Sequence, residues 1–155
     1  MGFERVLGSF CRTWTSRVSV GLDASAGMLA LARQLGRARL VRADVESLPV
    51  KTGAAAGAFA NFSLQHLPRA GFQIAIREVR RVLKPGGYLE LTMHRADARY
   101  SDQGDGVRVD DDMPIGRWFS YWGADDVVRV LEDEGLAVAI VENLGFANRF
   151  LVSRP

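Results

Sequence analysis

Short apolar strands alternate with amphipathic helices along this chain, and that alternation is the feature that most constrains its fold. Four segments repeat apolar residues every three or four positions, the spacing that buries one face of a helix. Between them lie short runs rich in β-branched residues and leucine, which predict strands. The order favours an α/β fold, a mostly parallel sheet with helices on both faces and an antiparallel closing strand pair. The predicted strands cover residues 18–22, 38–43, 58–62, 88–93, 136–141 and 149–153.

The predicted helices end where glycine or proline interrupts the apolar repeat. Gly36 closes a helix over residues 26–35, Gly135 closes one over residues 125–134, and residues 84–87 (KPGG) close the helix that follows residue 64. Proline cannot continue the hydrogen-bond ladder, and glycine accepts a left-handed turn. Residues 96–112 have no apolar period and predict a surface loop or lid. The inward faces are Phe3, Val6, Leu7, Phe10 and Trp14; Met28, Leu29, Ala32 and Leu35; Phe72, Ile76, Val79 and Leu83; and Val127, Val130 and Leu131.

Length and composition favour a single soluble domain over residues 1–155. The chain is 48% hydrophobic and 25% charged, and no apolar run approaches the roughly 20 residues that span a bilayer. The first residues carry Glu4 and Arg5 and do not resemble a secretory signal, so a cytoplasmic protein is expected. Cys11 is the one cysteine, which excludes an intrachain disulfide and argues against a metal site.

The formal charge of +2 does not by itself name a partner. The densest basic cluster is Arg77, Arg80, Arg81 and Lys84 on one predicted helix. A solvated helix face is favoured over an RNA-binding patch, because scattered bases of this kind usually serve solubility.

Polar residues stand at the ends of predicted strands, where ligands bind in open α/β sheets. They are Asp23, Asp44, Asn61 and His94. A carboxylate at Asp23 can accept both hydroxyls of a ribose, while Asp44 and the Val45 amide can pair with an adenine edge. For each acid the alternative is a helix cap or a turn.

Two histidines and a group of aromatic residues leave further alternatives open. His94 is a candidate general base, with a structural role as the favoured alternative, and for His66 a local structural role is favoured. A dense aromatic segment is expected to pack in the core, or to form a wall against an apolar or planar substrate. Its members are Trp118, Phe119, Tyr121 and Trp122.

Five stretches together resemble class I S-adenosylmethionine-dependent methyltransferases of the small-molecule and tRNA-modifying type, over residues 17–155. In order they are GLDASAGMLALAR, ARLVRADVESLPV, FANFSLQHLPRA, REVRRVLKPGGYLELTM and RWFSYWGADDVVRVLEDEGLAV. The resemblance implies a Rossmann-like fold and S-adenosylmethionine as cofactor. It also implies that Asp23 binds the ribose beside Ala24, that Asp44 and Val45 bind the adenine, and that Asn61 and Phe62 lie near the methionine moiety.

The chain departs from the family pattern in two places. Ala56 stands where the family usually has an aspartate, and the family's first strand and glycine-rich loop have no match. The segment over residues 5–11 cannot be that strand, because a strand ending at Phe10 would leave only seven residues before Val18, whereas a parallel crossover needs about a dozen. We therefore expect an N-terminally truncated fold, whose incomplete sheet closes on itself or is covered by a partner protein or a second copy.

Methyl transfer to a small molecule or RNA is the function that these observations favour. The alternative is a non-catalytic or partner-dependent remnant that binds the cofactor weakly. A nicotinamide-dependent oxidoreductase shares the strand-end acid, but it should carry a G-x-G-x-x-G loop and lack the KPGG element.

Overall fold

The computed structural model describes residues 19–36, 39–95, 105–110 and 113–155. The helix predicted over residues 3–14, together with Cys11, lies outside these residues. The chain divides into two compact units, Met1–Asp44 and Val45–Pro155. The single domain expected from the sequence stays a prediction.

In the first unit, a helix connects two short parallel strands. Strand β1 is Gly21–Asp23, helix α1 is Ala26–Gln34 and strand β2 is Leu40–Arg42. The strands pair in parallel, with Gly21 opposite Leu40. The elements lie where the sequence predicts them, although β1 begins later than residue 18. Leu35 was predicted to face inward but is 46% exposed, because it caps the helix C-terminus and leaves the apolar stripe.

The second unit contains a mixed four-stranded sheet in the order β3-β4-β8-β7. Strands β3 and β4 pair in parallel, whereas β8 pairs antiparallel with β4 and with β7. This confirms the antiparallel closing pair. Within the described residues β3 is an outer strand of this sheet. The strands are β3 Ala55–Asn61, β4 Leu83–His94, β7 Ala137–Asn143 and β8 Ala147–Ser153.

Helices α2 (Arg69–Val82) and α3 (Ala124–Asp133) bury their apolar stripes against one face of this sheet. Phe72, Ile76 and Leu131 are completely buried there. The predicted inward faces of both helices are therefore confirmed, except that Val130 is only partly buried and that Leu83, although buried, belongs to strand β4. Helices on both faces of the sheet stay a prediction.

The basic cluster of α2 is engaged within the protein. The Arg77 guanidinium donates to both carboxylate oxygens of Glu134, at 3.1 and 2.8 Å. Arg81 donates to Glu78 and to the Leu48 carbonyl. These contacts support the solvated and structural interpretation over an RNA-binding patch.

The KPGG segment lies inside a strand, so the prediction that strand β4 begins at residue 88 is wrong. Helix α2 ends at Val82, and Leu83 already pairs with Ala55. Gly57 then pairs with Tyr88, so residues 84–87 form a bulge on β4. Gly87 has no room for a side chain, because a Cβ there would lie 2.9 Å from the Lys84 carbonyl oxygen.

A β-hairpin occupies part of the predicted loop over residues 96–112, and that prediction is wrong for residues 106–110. Strand β5 (Gly106–Asp110) pairs antiparallel with β6 (Met113–Phe119). Residues 96–104, 111 and 112 lie outside the described part of the chain. The hairpin joins the body of the unit through Asp105, which accepts from Arg69 at 2.7 Å and from the Tyr121 amide at 2.8 Å.

Candidate cofactor and acceptor sites

Asp23 stands at the carboxyl end of β1, as the sequence predicts, and it also shapes the turn into α1. Its Oδ1 accepts from the Ser25 amide at 2.7 Å, and the Ser25 hydroxyl in turn accepts from the Met28 amide at 3.3 Å. Asp23 therefore has the structural role of a turn acid. One carboxylate oxygen serves the turn, and Oδ2 has no hydrogen bond among the described residues, so it can accept from a ligand.

Asp44 is brought close to Asp23 through the backbone between β1 and β2. The Ala43 amide donates to the Asp23 carbonyl at 3.1 Å, and Arg42 Nε donates to the Ala24 carbonyl at 3.0 Å. The sequence predicts Asp44 at the end of a strand. Strand β2 ends at Arg42, so Asp44 lies two residues beyond the strand end. Both acids belong to the first unit, whereas Val45 begins the second.

Asn61 and Phe62 lie together at the carboxyl end of β3 in the second unit. Asn61 is the last strand residue and pairs with Thr92. Phe62 has a φ of 51°, in the left-handed region that bulky residues rarely adopt. Its amide donates to the Thr92 carbonyl at 2.9 Å. A strained aromatic residue beside a candidate ligand residue is a feature that clusters at functional sites.

Five rings form what we call the aromatic cluster. Phe62 lies 5.0 Å from His94 between ring centroids, and 5.9 Å from Phe146 in a stacked arrangement. Phe119 lies 6.4 Å from His94 and meets His66 edge-on at 4.6 Å. The members are Phe62, His66, His94, Phe119 and Phe146. Phe146 is 59% exposed and the others are partly buried, so the cluster presents rings to solvent.

Both imidazoles are held by backbone carbonyls. His66 Nδ1 lies 2.9 Å from the Trp118 carbonyl. Since a carbonyl only accepts, Nδ1 carries the hydrogen and Nε2 keeps its lone pair. Burial lowers the pKa of His66, and the positive charge of Arg117 lowers it further against the opposing bond to Trp118. Burial also lowers the pKa of His94, opposed by its bond to the Phe146 carbonyl. Each ring is therefore neutral at pH 7.

The aromatic segment over residues 118–122 divides between core and cluster. Trp122 is buried and packs 4.8 Å from Phe72, with the Arg69 guanidinium 4.3 Å from its ring centroid. Tyr121 is also buried. Trp118 is 36% exposed and donates to the Ser120 hydroxyl at 3.0 Å. Core packing therefore describes Trp122 and Tyr121, although the Tyr121 ring also stacks on Phe119 at 6.1 Å between centroids. Phe119 is the member of the segment that belongs to the aromatic cluster.

Sequence reasoning missed Phe146. The available signal was an apolar aromatic residue after Gly145, in a turn between two strands where polar residues are usual.

Known proteins place the chain in a family. The family model described as "Methyltransferase domain" matches residues 2–91. This chain belongs to that family. The matched range includes residues 2–16, which the motifs quoted above leave out. The family match and the solved structures confirm the expected class I Rossmann-like fold, and the family's cofactor is S-adenosylmethionine.

Individual relatives agree with this family. The chain is 34% identical over 105 residues to malonyl-[acyl-carrier protein] O-methyltransferase from Enterobacter lignolyticus, with 62% of the chain and 41% of that protein covered. It therefore spans about two fifths of that relative's length.

Solved structures share the fold at low identity. An S-adenosylmethionine-dependent methyltransferase from Methanosarcina mazei has a TM-score of 0.75 at 17% identity, covering 87% of this chain and 81% of its own. A methyltransferase from Haloferax volcanii, solved with a methyltransferase activator, has a TM-score of 0.71 at 17% identity, covering 88% and 71%.

Two findings bear on location and partners. Among the described residues, no helix has both the length and the apolar character needed to cross a bilayer. The activator in the Haloferax volcanii structure is a partner of the methyltransferase solved with it.

Proposed function

We propose that this methyltransferase-domain protein binds S-adenosylmethionine and transfers its methyl group to a small-molecule acceptor. The observation that carries the proposal is the pair of acids in a chain of this family: Asp23 at the end of β1, and Asp44 two residues beyond the end of β2, the strand that pairs in parallel with β1. Carboxylates in this position suit the diol and the amine of an adenosine, which both donate hydrogen bonds.

The residues present fit the adenosine half of the cofactor. Asp23 Oδ2 accepts from a ribose hydroxyl while Oδ1 keeps the turn rigid, and Ala24 is small enough to lie beside the base. Asp44 and the Val45 amide pair with the adenine edge. Asn61 and Phe62 serve the methionine end, where an amide side chain can bind charged groups of either sign.

When bound, S-adenosylmethionine supplies a methyl group on a positively charged sulfur. The protein's task is then mostly to place the acceptor in line with that methyl group and to exclude water, because proximity and orientation provide much of the rate enhancement. No side chain has to act as a nucleophile. A group that accepts a proton is needed only where the acceptor is a hydroxyl or a protonated amine.

A small molecule is favoured over RNA as acceptor. The arginines of α2 that would form a basic patch are engaged with Glu134, Glu78 and backbone carbonyls. The relative from Enterobacter lignolyticus is named for a carrier-bound malonyl acceptor, and this chain covers too little of it to carry that substrate over.

A partner-dependent subunit is the second candidate. Strand β3 is an outer strand in the described part of the second unit, and open strand edges tend to pair with other chains. The activator bound by the Haloferax volcanii methyltransferase shows one way in which such a protein can depend on a partner. Light scattering after gel filtration tests this: a dimer that alone binds the cofactor supports the second candidate.

Calorimetric titration with S-adenosylhomocysteine and with adenosine tests the leading proposal. Asp23→Asn keeps an oxygen for the Ser25 amide but removes the charge, so it should weaken binding of both ligands by about 1.5 to 3 kcal/mol, or roughly 10- to 150-fold. Asp133→Asn, which neutralises an exposed acid of α3, is the matched control and should leave both affinities unchanged. Equal affinity in Asp23→Asn and wild type would contradict the ribose role.

A further inference from the structure

The aromatic cluster has the surface of a site for a flat ligand. Phe62 and Phe146 are nearly parallel, with 16° between their ring planes, and Phe146 is 59% exposed. An exposed aromatic face next to a partly buried one offers stacking area to a planar ring, which binds aromatic groups better than a puckered ring of the same size. Stacking alone does not select the chemistry of the ligand.

The two imidazoles add a hydrogen-bonding requirement. The Trp118 carbonyl holds the hydrogen of His66 on Nδ1, and the Phe146 carbonyl binds the His94 ring. The second ring nitrogen of each neutral imidazole therefore carries a lone pair and can accept a hydrogen bond from a ligand. A ligand bound here has to donate a hydrogen bond, as a hydroxyl or an amine does.

The charges around the imidazoles distinguish a hydroxyl from an amine. The positive charge of Arg117 acts on His66, and His94 acts on His66 in the same direction. A cationic ammonium in the cluster would therefore meet a positive charge on its His66 side. An oxygen that becomes negative as it loses its proton would be attracted by that charge, less strongly at His94 than beside His66.

The position of His94 relates the cluster to the chemistry. His94 is the last residue of β4, and its ring lies 5.0 Å from that of Phe62, the neighbour of Asn61. His66 meets the Phe119 ring at 4.6 Å, whereas His94 lies 6.4 Å from the same ring. Of the two imidazoles, His94 is thus the one beside the residues assigned to the methionine end of the cofactor.

We propose that the aromatic cluster is the acceptor subsite for a planar small molecule carrying a weakly acidic hydroxyl, and that His94 takes the hydroxyl proton. This inference rests on the proposed methyl transfer. The hydroxyl oxygen forms a bond to the methyl carbon while the carbon–sulfur bond of S-adenosylmethionine breaks and its electron pair goes to sulfur. The O–H proton passes to His94, so the products are a methyl ether, S-adenosylhomocysteine and an imidazolium that releases the proton to water.

Binding of 4-nitrophenol tests the subsite, because its absorption band reports whether the bound hydroxyl keeps its proton. The titrations use the full chain, with and without S-adenosylhomocysteine. We expect 4-nitrophenol to bind about tenfold more tightly than 4-nitroanisole, which lacks the hydroxyl donor. It should also bind more tightly than 4-nitrocyclohexanol, which is not planar, and 4-nitrobenzylamine, which is cationic. In wild type the bound absorption band should shift toward that of the phenolate, and in His94→Gln it should not.

Variants separate the subsite from the cofactor site. Phe146→Ala removes an exposed ring and should weaken 4-nitrophenol binding about three- to tenfold, with S-adenosylhomocysteine affinity unchanged. Tyr88→Ala is the matched control, since Tyr88 is 58% exposed in the middle of β4, six residues before His94, and it should change neither affinity. His94→Gln should slow the formation of S-adenosylhomocysteine from S-adenosylmethionine with 4-nitrophenol as acceptor, measured at a pH well below neutrality where free 4-nitrophenol keeps its proton.

Failure of the subsite and failure of the proposed function give different results. If S-adenosylhomocysteine binds but 4-nitrophenol does not, or Phe146→Ala binds 4-nitrophenol like wild type, the subsite is wrong while cofactor binding stands. The subsite is also wrong if 4-nitrobenzylamine binds more tightly than 4-nitrophenol, or if an RNA oligonucleotide binds more tightly than 4-nitrophenol and competes with it. If 4-nitrophenol binds with the expected sensitivity to Phe146→Ala and S-adenosylhomocysteine does not bind, the methyl-transfer proposal fails instead.

Discussion

Glycine at position 62 should give a more stable protein than alanine, the reverse of the usual order. Phe62 has a φ of 51°, and an L-residue in the left-handed region costs roughly 1 to 2 kcal/mol. Phe62→Ala and Phe62→Gly both remove the ring and its contacts with His94 and Phe146, so those losses cancel in the comparison. Glycine costs about 0.4 to 1 kcal/mol more than alanine through the entropy of the unfolded chain. The free energy of unfolding of Phe62→Gly should therefore exceed that of Phe62→Ala by about 0.5 to 1 kcal/mol.

The neighbouring residue provides the control. Ser63 has a φ of −104° and its side chain makes no capping hydrogen bond. At that position Ser63→Ala should exceed Ser63→Gly in stability by about 0.4 to 1 kcal/mol, because only the unfolded-state entropy differs.

Urea unfolding of the four variants measures both differences. With a slope of about 2 kcal/mol per molar, the midpoint of Phe62→Gly should lie about 0.3 to 0.5 M above that of Phe62→Ala, and at position 63 the order should reverse. If alanine is more stable than glycine at both positions, Phe62 is not in a strained left-handed conformation, and the argument that links strain at this residue to a site is wrong.

Three further predictions concern stability. Gly87→Ala should destabilise by about 1 to 3 kcal/mol, because its Cβ meets rigid backbone, whereas Gly27→Ala on α1 should stabilise by up to about 1 kcal/mol; urea midpoints that move in the same direction would contradict this. Asp23→Ala should lower Tm relative to Asp23→Asn, since it loses the bond to the turn amide, and equal Tm values would show that the turn bond is unimportant. Burial lowers the pKa of His66 and His94, so the native state binds fewer protons than the unfolded state below pH 6.5 and stability is lost as pH falls through the folded pKa values. Replacing both histidines of the chain by glutamine should flatten the pH dependence of unfolding between about pH 5 and 7, and an unchanged slope there would refute the assignment.

Local periodicity predicts the helices well. The stripe of Phe72, Ile76 and Val79 repeats over several turns and is completely or almost completely buried, because a helix is stabilised by contacts between residues close in sequence. The positions of Asp23 and Asn61 at strand ends follow from the same kind of signal, an apolar run that ends on a polar residue.

Several features that depend on pairing between distant residues were not predicted. The β5–β6 hairpin is missing from the sequence interpretation, because its strands alternate only briefly and lie in an Asp- and Gly-rich stretch. The bulge at residues 84–87 is set by the register between β3 and β4, which no local pattern reveals. The aromatic cluster combines side chains from the ends of β3, β4 and β6 with His66 and the β7–β8 turn, so Phe146 could be assigned only once the sheet order was known.

Nuclear magnetic resonance of the ¹⁵N-labelled chain tests most directly whether this protein binds the cofactor through the residues named here. On titration with S-adenosylhomocysteine, the backbone amides of Asp23, Ala24, Asp44, Val45 and Asn61 should shift along one saturation curve, with that of Phe62 following. The amides of α3 serve as an internal control and should not move. If S-adenosylhomocysteine produces no saturable shifts, or shifts only amides outside this set, the account of a methyltransferase cofactor site built on Asp23 and Asp44 is contradicted.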